Sequence, residues 1–380
     1  MIPIEGGSFV IAANGYADGP AQPLQRYLVD QGARRVITIA HPLVPEGPTE
    51  HRITDARDGR ERRTVRDLRL HPPASFALDP FVPLRVPKVD AWFGFNCLAT
   101  ARGLVQRAVR QSAHVVHWNV DFVPERFGPG ALTRIYEGID RWCCTHADGR
   151  VDLSQAALEA RAARYGLTGS TVPGAVIPMG MWLDRSAKTS LENFGRRRVV
   201  FLGHLVERMG VATVVDAVAL LAAQGVEVSA DIIGGGPLLD ETRAAVRRHG
   251  LENRVTVHGF IEDYTTIEHM LSQASVALAP YVRNPDSFTR YADPGKLKGY
   301  LGASLPIILT DVPPNAQELA GSAGAEIVLD NARDFADAIA RLLDDEPEWR
   351  RRRAAASAYA ERFDWPRVFS SGLAEVGVGA

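Results

Sequence analysis

Short apolar runs rich in β-branched residues alternate with stretches whose apolar positions recur every three or four residues, along nearly the whole chain. Runs of the first kind, bounded by turn residues, predict buried strands, and stretches of the second kind predict the helices that cover them. In the first half the predicted strands are SFVIAA (Ser8–Ala13), RVITIA (Arg35–Ala40), VDAWFGFN (Val89–Asn96), HVVHWNV (His114–Val120) and WCCTHA (Trp142–Ala147). Helices are predicted at Leu24–Gln31, Leu98–Gln111, Leu132–Arg141 and Gln155–Tyr165, and VIPMGMW closes this half. One segment breaks the rhythm. In HRITDARDGRERRTVRDLRL, Asp58-Gly59 predicts a tight turn between two extended arms, hence an inserted hairpin. Its arginines interleave with acids, which fits a solvated edge or a local basic face for an anionic acceptor or lipid headgroups.

The text from Leu183 to Arg198 turns polar, and a second strand-helix series follows. Its predicted strands are Val199–Gly203, Val228–Gly234, Val255–Phe260 and Val276–Pro280, then PIILT and EIVL, with helices at Val211–Ala223, Leu238–His249, Thr265–Gln273 and Ala332–Leu343. Alternation of this kind predicts an α/β protein with mostly parallel sheets. The expected organisation is a Rossmann-like domain over 1–183, a second over 184–355 and a helical tail over 356–380. Two such halves in tandem imply a cleft between them, and open parallel sheets bind ligands beyond the carboxyl ends of their strands.

Composition narrows the classes. With 43 Lys plus Arg against 45 Asp plus Glu, no global field points to nucleic acid. Three cysteines, two adjacent as Cys143-Cys144, make neither a metal-ligand spacing nor a disulfide framework, so a reducing cytosol is expected. The start MIPIEGGSFVIAANG has no leader pattern, and no apolar run is long enough to span a membrane. A cytoplasmic protein is expected, with peripheral association at the inner membrane face left open.

Candidate chemistry gathers in YADPGKLKGYLGASLPIILT, Tyr291 to Thr310. Asp293 reads as an N-cap and Pro294 as the first helical residue, with Leu297, Tyr300 and Leu301 as the apolar stripe. Gly295 and Lys296 then stand beside free amides at the positive end of a helix dipole, where a phosphate binds well. An ordinary capped helix with surface lysines reads the same residues. DIIGGGPLLDE opens another helix after a strand, but Leu239 stands where a dinucleotide fingerprint needs its third glycine. Gly234, Gly235 and Gly236 either admit a ligand to the backbone or make a plain tight turn. P-loop, HExxH and GxSxG motifs are missing.

VVFLGHLVERMGVATVVDAVALL, ADIIGGGPLLDETRAAVRRHGLENRVTVHGFIE and ALAPY…KLKGYLGASLPIILTD together resemble the donor domain of GT-B glycosyltransferases. The resemblance implies two tandem Rossmann-like domains, a nucleotide-sugar in an interdomain cleft, and a C-terminal helix crossing back to the first domain, as FDWPRVFSSGL suggests. It implies donor contacts from Lys296, Gly295, Gly234, Gly235, Gly236, Arg208, Gly203 and Tyr291, with Lys296 on phosphate. Retaining members carry two glutamates eight positions apart ahead of a proline; counting back from Pro306, Gly299 and Tyr291 occupy those places. The lysine usual before Gly210 is Met209, preceded by Arg208. These departures resemble an inverting subset typified by the glucuronosyltransferase of xanthan assembly, in which a first-domain strand ends in a general-base aspartate. Asp121, closing HVVHWNVD, is the matching residue, against a plainer reading as a strand-end cap. His117 and Trp118 read as packing residues. Asn14, Gly15, Tyr16 and Asp18, after the first strand, would meet the acceptor, or are turn residues.

The expected function is transfer of a sugar from a nucleoside diphosphate donor, uridine-linked by preference, to a hydroxyl of a saccharide or glycolipid, with inversion, no cofactor and no metal. A retaining transferase, a nucleotide-sugar epimerase or hydrolase, and a two-lobed solute-binding protein are the rivals.

Overall fold

The computed structural model describes all residues except 17–18, 44–46, 79–86, 110–111, 168–171, 285–287 and 380. The chain forms two compact units, Met1–Met179 with Trp365–Ala380, and Gly180–Asp364. The divisions at 179/180 and 364/365 lie close to, but not on, those expected at 183/184 and 355/356.

Unit 1 starts with β1 (Ile2–Pro3), β2 (Ser8–Asn14), α1 (Ala21–Asp30) and β3 (Arg35–His41). The hairpin β4 (Glu50–Arg57) and β5 (Arg60–Asp67) follows, then α2 (Ala74–Leu78), β6 (Val89–Phe95), α3 (Cys97–Ala108) and β7 (Ser112–Asn119). Next come α4 (Ala131–His146), β8 (Gly149–Asp152), α5 (Gln155–Tyr165) and β9 (Gly174–Val176). The sheet runs β5-β4-β3-β2-β6-β7-β8-β9. All pairs from β3 to β9 are parallel, and the hairpin adds antiparallel on β3. Phe9 to Ala12 are fully buried, the continuous apolar run of a strand covered on both faces. Asp58 and Gly59 both have positive φ (49° and 74°), which a two-residue hairpin turn requires.

The strand expected at Trp142–Ala147 is instead the last turn of α4. Thr133, Asp140, Cys143 and Cys144 are its buried side, while Trp142 is exposed. The run looks strand-like only because buried cysteines and a surface aromatic are consecutive; the helical period continues through it.

Unit 2 contains β10 (Arg198–Leu202), α6 (Val211–Ala223), β11 (Ser229–Ile233), α7 (Leu239–Arg248), β12 (Val255–Gly259), α8 (Tyr264–Ser272) and β13 (Val276–Ala279). Then come α9 (Gly295–Gly302), β14 (Ile307–Thr310), α10 (Ala316–Ser322), β15 (Glu326–Val328), α11 (Ala332–Asp344) and α12 (Glu346–Ala360). Its parallel sheet has the order β12-β11-β10-β13-β14-β15. One core lies between the sheet and α6, α7 and α11, built on Phe201, Val215, Phe335 and Trp349. The other holds Tyr281, Leu297, Tyr300 and Leu301. The polar stretch before β10 belongs to this unit: Asn193 is buried and donates to the Ser272 carbonyl at 2.7 Å.

The chain then returns to unit 1 as α13 (Trp365–Glu375) and β16 (Val378–Gly379), which pairs parallel with β1. Phe369 stacks on Trp365 at 4.8 Å and contacts Tyr27 and Trp118 at 5.3 and 6.2 Å. Gly372 presses on Ile177, where a Cβ would lie 2.4 Å from a side-chain carbon.

Each sheet reverses its winding once. From β2 the chain adds β3 on one side and later β6 on the other; from β10 it adds β11 on one side and β13 on the other. Such reversals open a crevice at the strands' carboxyl ends, so ligands are expected at Asn14 and Asn96 in unit 1, and at Gly203 and Pro280 in unit 2.

Candidate active site

At the unit 2 reversal the Lys296 ammonium sits 4.2 Å from the ring centre of Tyr281 and 4.7 Å from that of Phe201, with Met209 Sδ at 3.8 Å. Among the described residues no carboxylate pairs with it. Burial drives its pKa down to about 7, since an unpaired cation held off from water favours its neutral form. Aromatic faces soften that penalty through cation–π attraction. The Tyr281 hydroxyl is also buried and, among the described residues, lacks a hydrogen-bond partner.

Lys296 is the second residue of α9, but the cap differs from expectation. Pro294 holds the N-cap position without a side-chain bond, and Asp293 turns inward to pair with the buried Lys298 at 2.7 Å. An internal ion partner outcompetes the cap because Lys298 would otherwise be buried alone. The amide end next to Gly295 is thus left without a side-chain cap.

Gly203 follows β10; a Cβ there would lie 3.4 Å from Lys296 Nζ. Gly234 (φ 141°) carries its Cα against the Gly203 carbonyl, where a Cβ would come to 1.9 Å, and the Leu205 amide bonds the Gly235 carbonyl at 2.8 Å. The glycine loop therefore serves first to let two backbone segments touch, and Gly236 likewise abuts Leu205. Arg208 lies over Phe288 at 5.0 Å, and its Nε is buried without a partner among the described residues. Tyr291 packs under Arg290 at 4.8 Å.

At the unit 1 reversal Asn96 Nδ2 donates to Asn14 Oδ1 at 2.8 Å, tying the ends of β2 and β6. A pocket of about 510 Å³ opens there, walled by Phe76, Phe95, Leu98, Phe122 and Leu132, with Asn14, Asn119, Asp121 and Arg126 as polar groups. Asp121 lies two residues beyond β7, on the loop rather than at the strand end itself. Its carboxylate pairs with Arg126, whose guanidinium also lies over Tyr136 at 5.7 Å. Gly15 (φ 93°) makes the turn out of β2. Tyr16 donates from its hydroxyl to the Glu50 carbonyl and is covered by Arg52 at 4.1 Å, which ties it to the hairpin. Asp18 lies outside the described residues.

Beneath Asp121 lies a buried ionic network that sequence reasoning missed. Arg161 donates to Asp140, to Asp152 Oδ1 at 3.0 Å and to the Asp121 carbonyl at 3.2 Å. Tyr165 Oη donates to Asp140 at 2.8 Å, and His117 Nε2 lies 3.0 Å from it. Burial would raise the Asp140 pKa, but the Arg161 charge and the bonds from His117 and Tyr165 outweigh it and hold it at about 2. His117, Asp140 and Cys144 bring ligand-type atoms within 4.8 Å of one another. They do not fit a metal, because the Asp140 oxygens are already engaged by a guanidinium and a phenol, and burial keeps the Cys144 thiol protonated. The network holds the Asp121 loop through its backbone.

Residues 196–345 match the family model described as glycosyl transferases group 1. An α-D-kanosaminyltransferase of Streptomyces kanamyceticus is 28% identical over 42% of this chain and 39% of its own length. A GDP-mannose-dependent α-(1-6)-phosphatidylinositol dimannoside mannosyltransferase of Mycobacterium tuberculosis is 29% identical over 44% of this chain and 40% of its own. The chain thus spans about two fifths of the length of the curated relatives it matches. Among solved structures, sucrose-phosphate synthase of Thermosynechococcus elongatus superposes with a TM-score of 0.68 at 17% identity, over 94% of this chain and 96% of the other. Anabaena HepE in complex with UDP gives 0.62 at 16% identity, over 97% of both chains. The chain has the GT-B fold, and its residues 196–345 are similar to the glycosyl transferases group 1 family.

Proposed function

We propose that the protein is a glycosyltransferase that moves a hexosyl group from a nucleoside diphosphate sugar to a hydroxyl of a saccharide or glycolipid. The observation that carries this reading is Lys296: a cation without a carboxylate partner among the described residues, held at the reversal point of the unit matching glycosyl transferases group 1. A donor diphosphate would supply the missing counter-charge. Uridine is the favoured base, since HepE was solved with UDP and with UDP-glucose.

In this reading the acceptor hydroxyl attacks the anomeric carbon, the bond to the diphosphate oxygen breaks, and its electrons leave with the diphosphate. Lys296 and the α9 amides stabilise that charge. Asp121 accepts the hydroxyl proton. Arg126 holds the carboxylate in an ion pair, so proton transfer requires the acceptor hydroxyl to displace that contact. The same pairing favours a second reading, retention without Asp121 as base, and both curated relatives are named for α-configured linkages.

A thermal-shift panel of UDP-, GDP- and TDP-sugars tests the donor assignment, because a ligand at one hundred times its Kd adds about 2.7 kcal/mol of stability. Absence of any shift would overturn it. NMR of the product's anomeric proton separates inversion from retention, and donor consumed without acceptor would point to a hydrolase or epimerase.

A further inference from the structure

The solvent side of α4 carries large apolar residues beside the exposed Arg134, Arg141, Thr145 and His146. Leu132, Ile135 and Trp142 fall within a sector of roughly 80° on a helix of 3.6 residues per turn. They are 52%, 60% and 39% exposed, and Phe127, on the preceding loop, is 46% exposed with its ring against Tyr136 at 5.4 Å. An aligned set of large apolar side chains on a surface helix marks a contact face, whereas scattered ones need no explanation. Beside the stripe stand Arg134 and Arg141, both exposed, and neither forms an ion pair among the described residues. The acids of α4 are already used: Glu137 is held by Arg164, and Asp140 is in the buried network. Leu132 and Phe127 also line the pocket that holds Asp121, so the apolar face runs into that pocket.

We propose that this face of α4 lies on an anionic lipid surface, with Ile135 and Trp142 entering the acyl boundary and Arg134 and Arg141 meeting headgroup phosphates, so that a lipid-borne acceptor hydroxyl reaches the pocket from the membrane side. Its acceptor part rests on the reading of that pocket as the acceptor site. Apolar and aromatic side chains beside unpaired arginines are the pattern of a helix lying in the interface plane. A second copy of the chain fits less well. A two-fold contact through this stripe would bring Arg134 and Arg141 towards their own equivalents with no acids on the face to neutralise them.

The test is co-sedimentation of the full chain with vesicles of phosphatidylcholine alone, or mixed with phosphatidylglycerol in equal parts. Binding to the mixed vesicles is expected, weakening as salt screens the arginines. Ile135→Glu with Trp142→Glu should reduce it by roughly tenfold or more, because each change replaces buried apolar area with a charge. Arg134→Glu with Arg141→Glu should remove the preference for the anionic vesicles. All four positions are exposed, and an unchanged melt confirms that the fold survives. No pelleting with either vesicle, or equal pelleting of the Ile135/Trp142 variant, overturns the proposal. So does sedimentation equilibrium showing a dimer that Ile135→Glu dissociates, which would assign the face to a second copy. Donor-induced thermal stabilisation, measured without vesicles, tests the transferase reading separately: its absence alongside vesicle binding would sink that reading and leave the docking face standing.

Discussion

An ammonium boxed by Phe201, Tyr281 and Met209 is destabilising until an anion arrives. With its pKa near 7 in the fold and at its ordinary 10.5 when unfolded, Lys296 makes the unfolded state the better proton binder between those values. Stability of the donor-free protein should therefore rise with pH from about 7 towards 10.5. Lys296→Met should flatten that slope, raise the melting temperature at neutral pH, and weaken donor binding by ~1.5–3 kcal/mol, roughly ten- to hundredfold. Melts across pH with and without UDP-sugar read all three. In the wild type, donor affinity should fall above pH 7 as the free lysine loses its proton. At Asp121, replacement by Asn keeps shape but accepts no proton, so under inversion turnover should drop ~10²–10⁴-fold with donor affinity nearly constant. Normal turnover would move the base elsewhere. Lys296 was legible in the sequence because a lysine after Pro-Gly at a helix start is a local pattern. The walls around it were not, since Phe201, Met209 and Tyr281 come from three separate segments.

Among the elements, the parallel strands and most helices were legible from periodicity, and the hairpin from Asp58-Gly59 alone. Ends decided by tertiary partners were not. Asp293 reads as a cap until Lys298 is seen buried beside it. The glycine loop carries its own expectation. Gly234→Ala would place a Cβ on the Gly203 carbonyl at a φ of 141°, and should cost about 3 kcal/mol or more. A lower melt with normal donor affinity in the folded fraction would mark the loop as structural; a normal melt with lost affinity would mark it as a ligand contact. The Arg161 network left no local signature, because its members lie on β7, α4, β8 and α5 and meet only in the fold. Asp140→Asn leaves Arg161 partly unpaired in the interior, at ~3–5 kcal/mol. The Asp140 contribution is present above the unfolded carboxylate pKa near 4 and is lost as pH falls to about 2. Hydrogen exchange of β7 and α4 peptides from pH 5 to pH 2 should show that acid sensitivity in the wild type and much less of it in the variant.

For the molecule as a whole, α/β alternation was readable from periodicity, whereas the returning tail was expected only from the family resemblance of FDWPRVFSSGL, which does not tell how deeply that tail enters unit 1. Trp365, Val368, Phe369 and Leu373 are buried, Val376 meets Gly149, and the His114 ring bonds the Val376 carbonyl at 2.7 Å. Each such side chain contributes ~1.5–3 kcal/mol of burial. Cutting the chain after Asp364 should therefore unfold unit 1 while unit 2 keeps its exchange protection, and separate peptides in one experiment report both. The same wiring sets an order during synthesis. Unit 1 begins at the first residues yet is finished by residues 365–379, and the 180–364 stretch must be made in between. At ~5–20 residues per second the ribosome takes roughly ten to forty seconds to deliver that stretch, during which unit 1 has its strands but not its closing helix. Unit 2, contiguous in the chain, can complete its own sheet first. Unit 2, translated after the bulk of unit 1, thus becomes native before it, and unit 1 waits for residues 365–379 with the Phe369 site beside Tyr27 and Trp118 open to a chaperone.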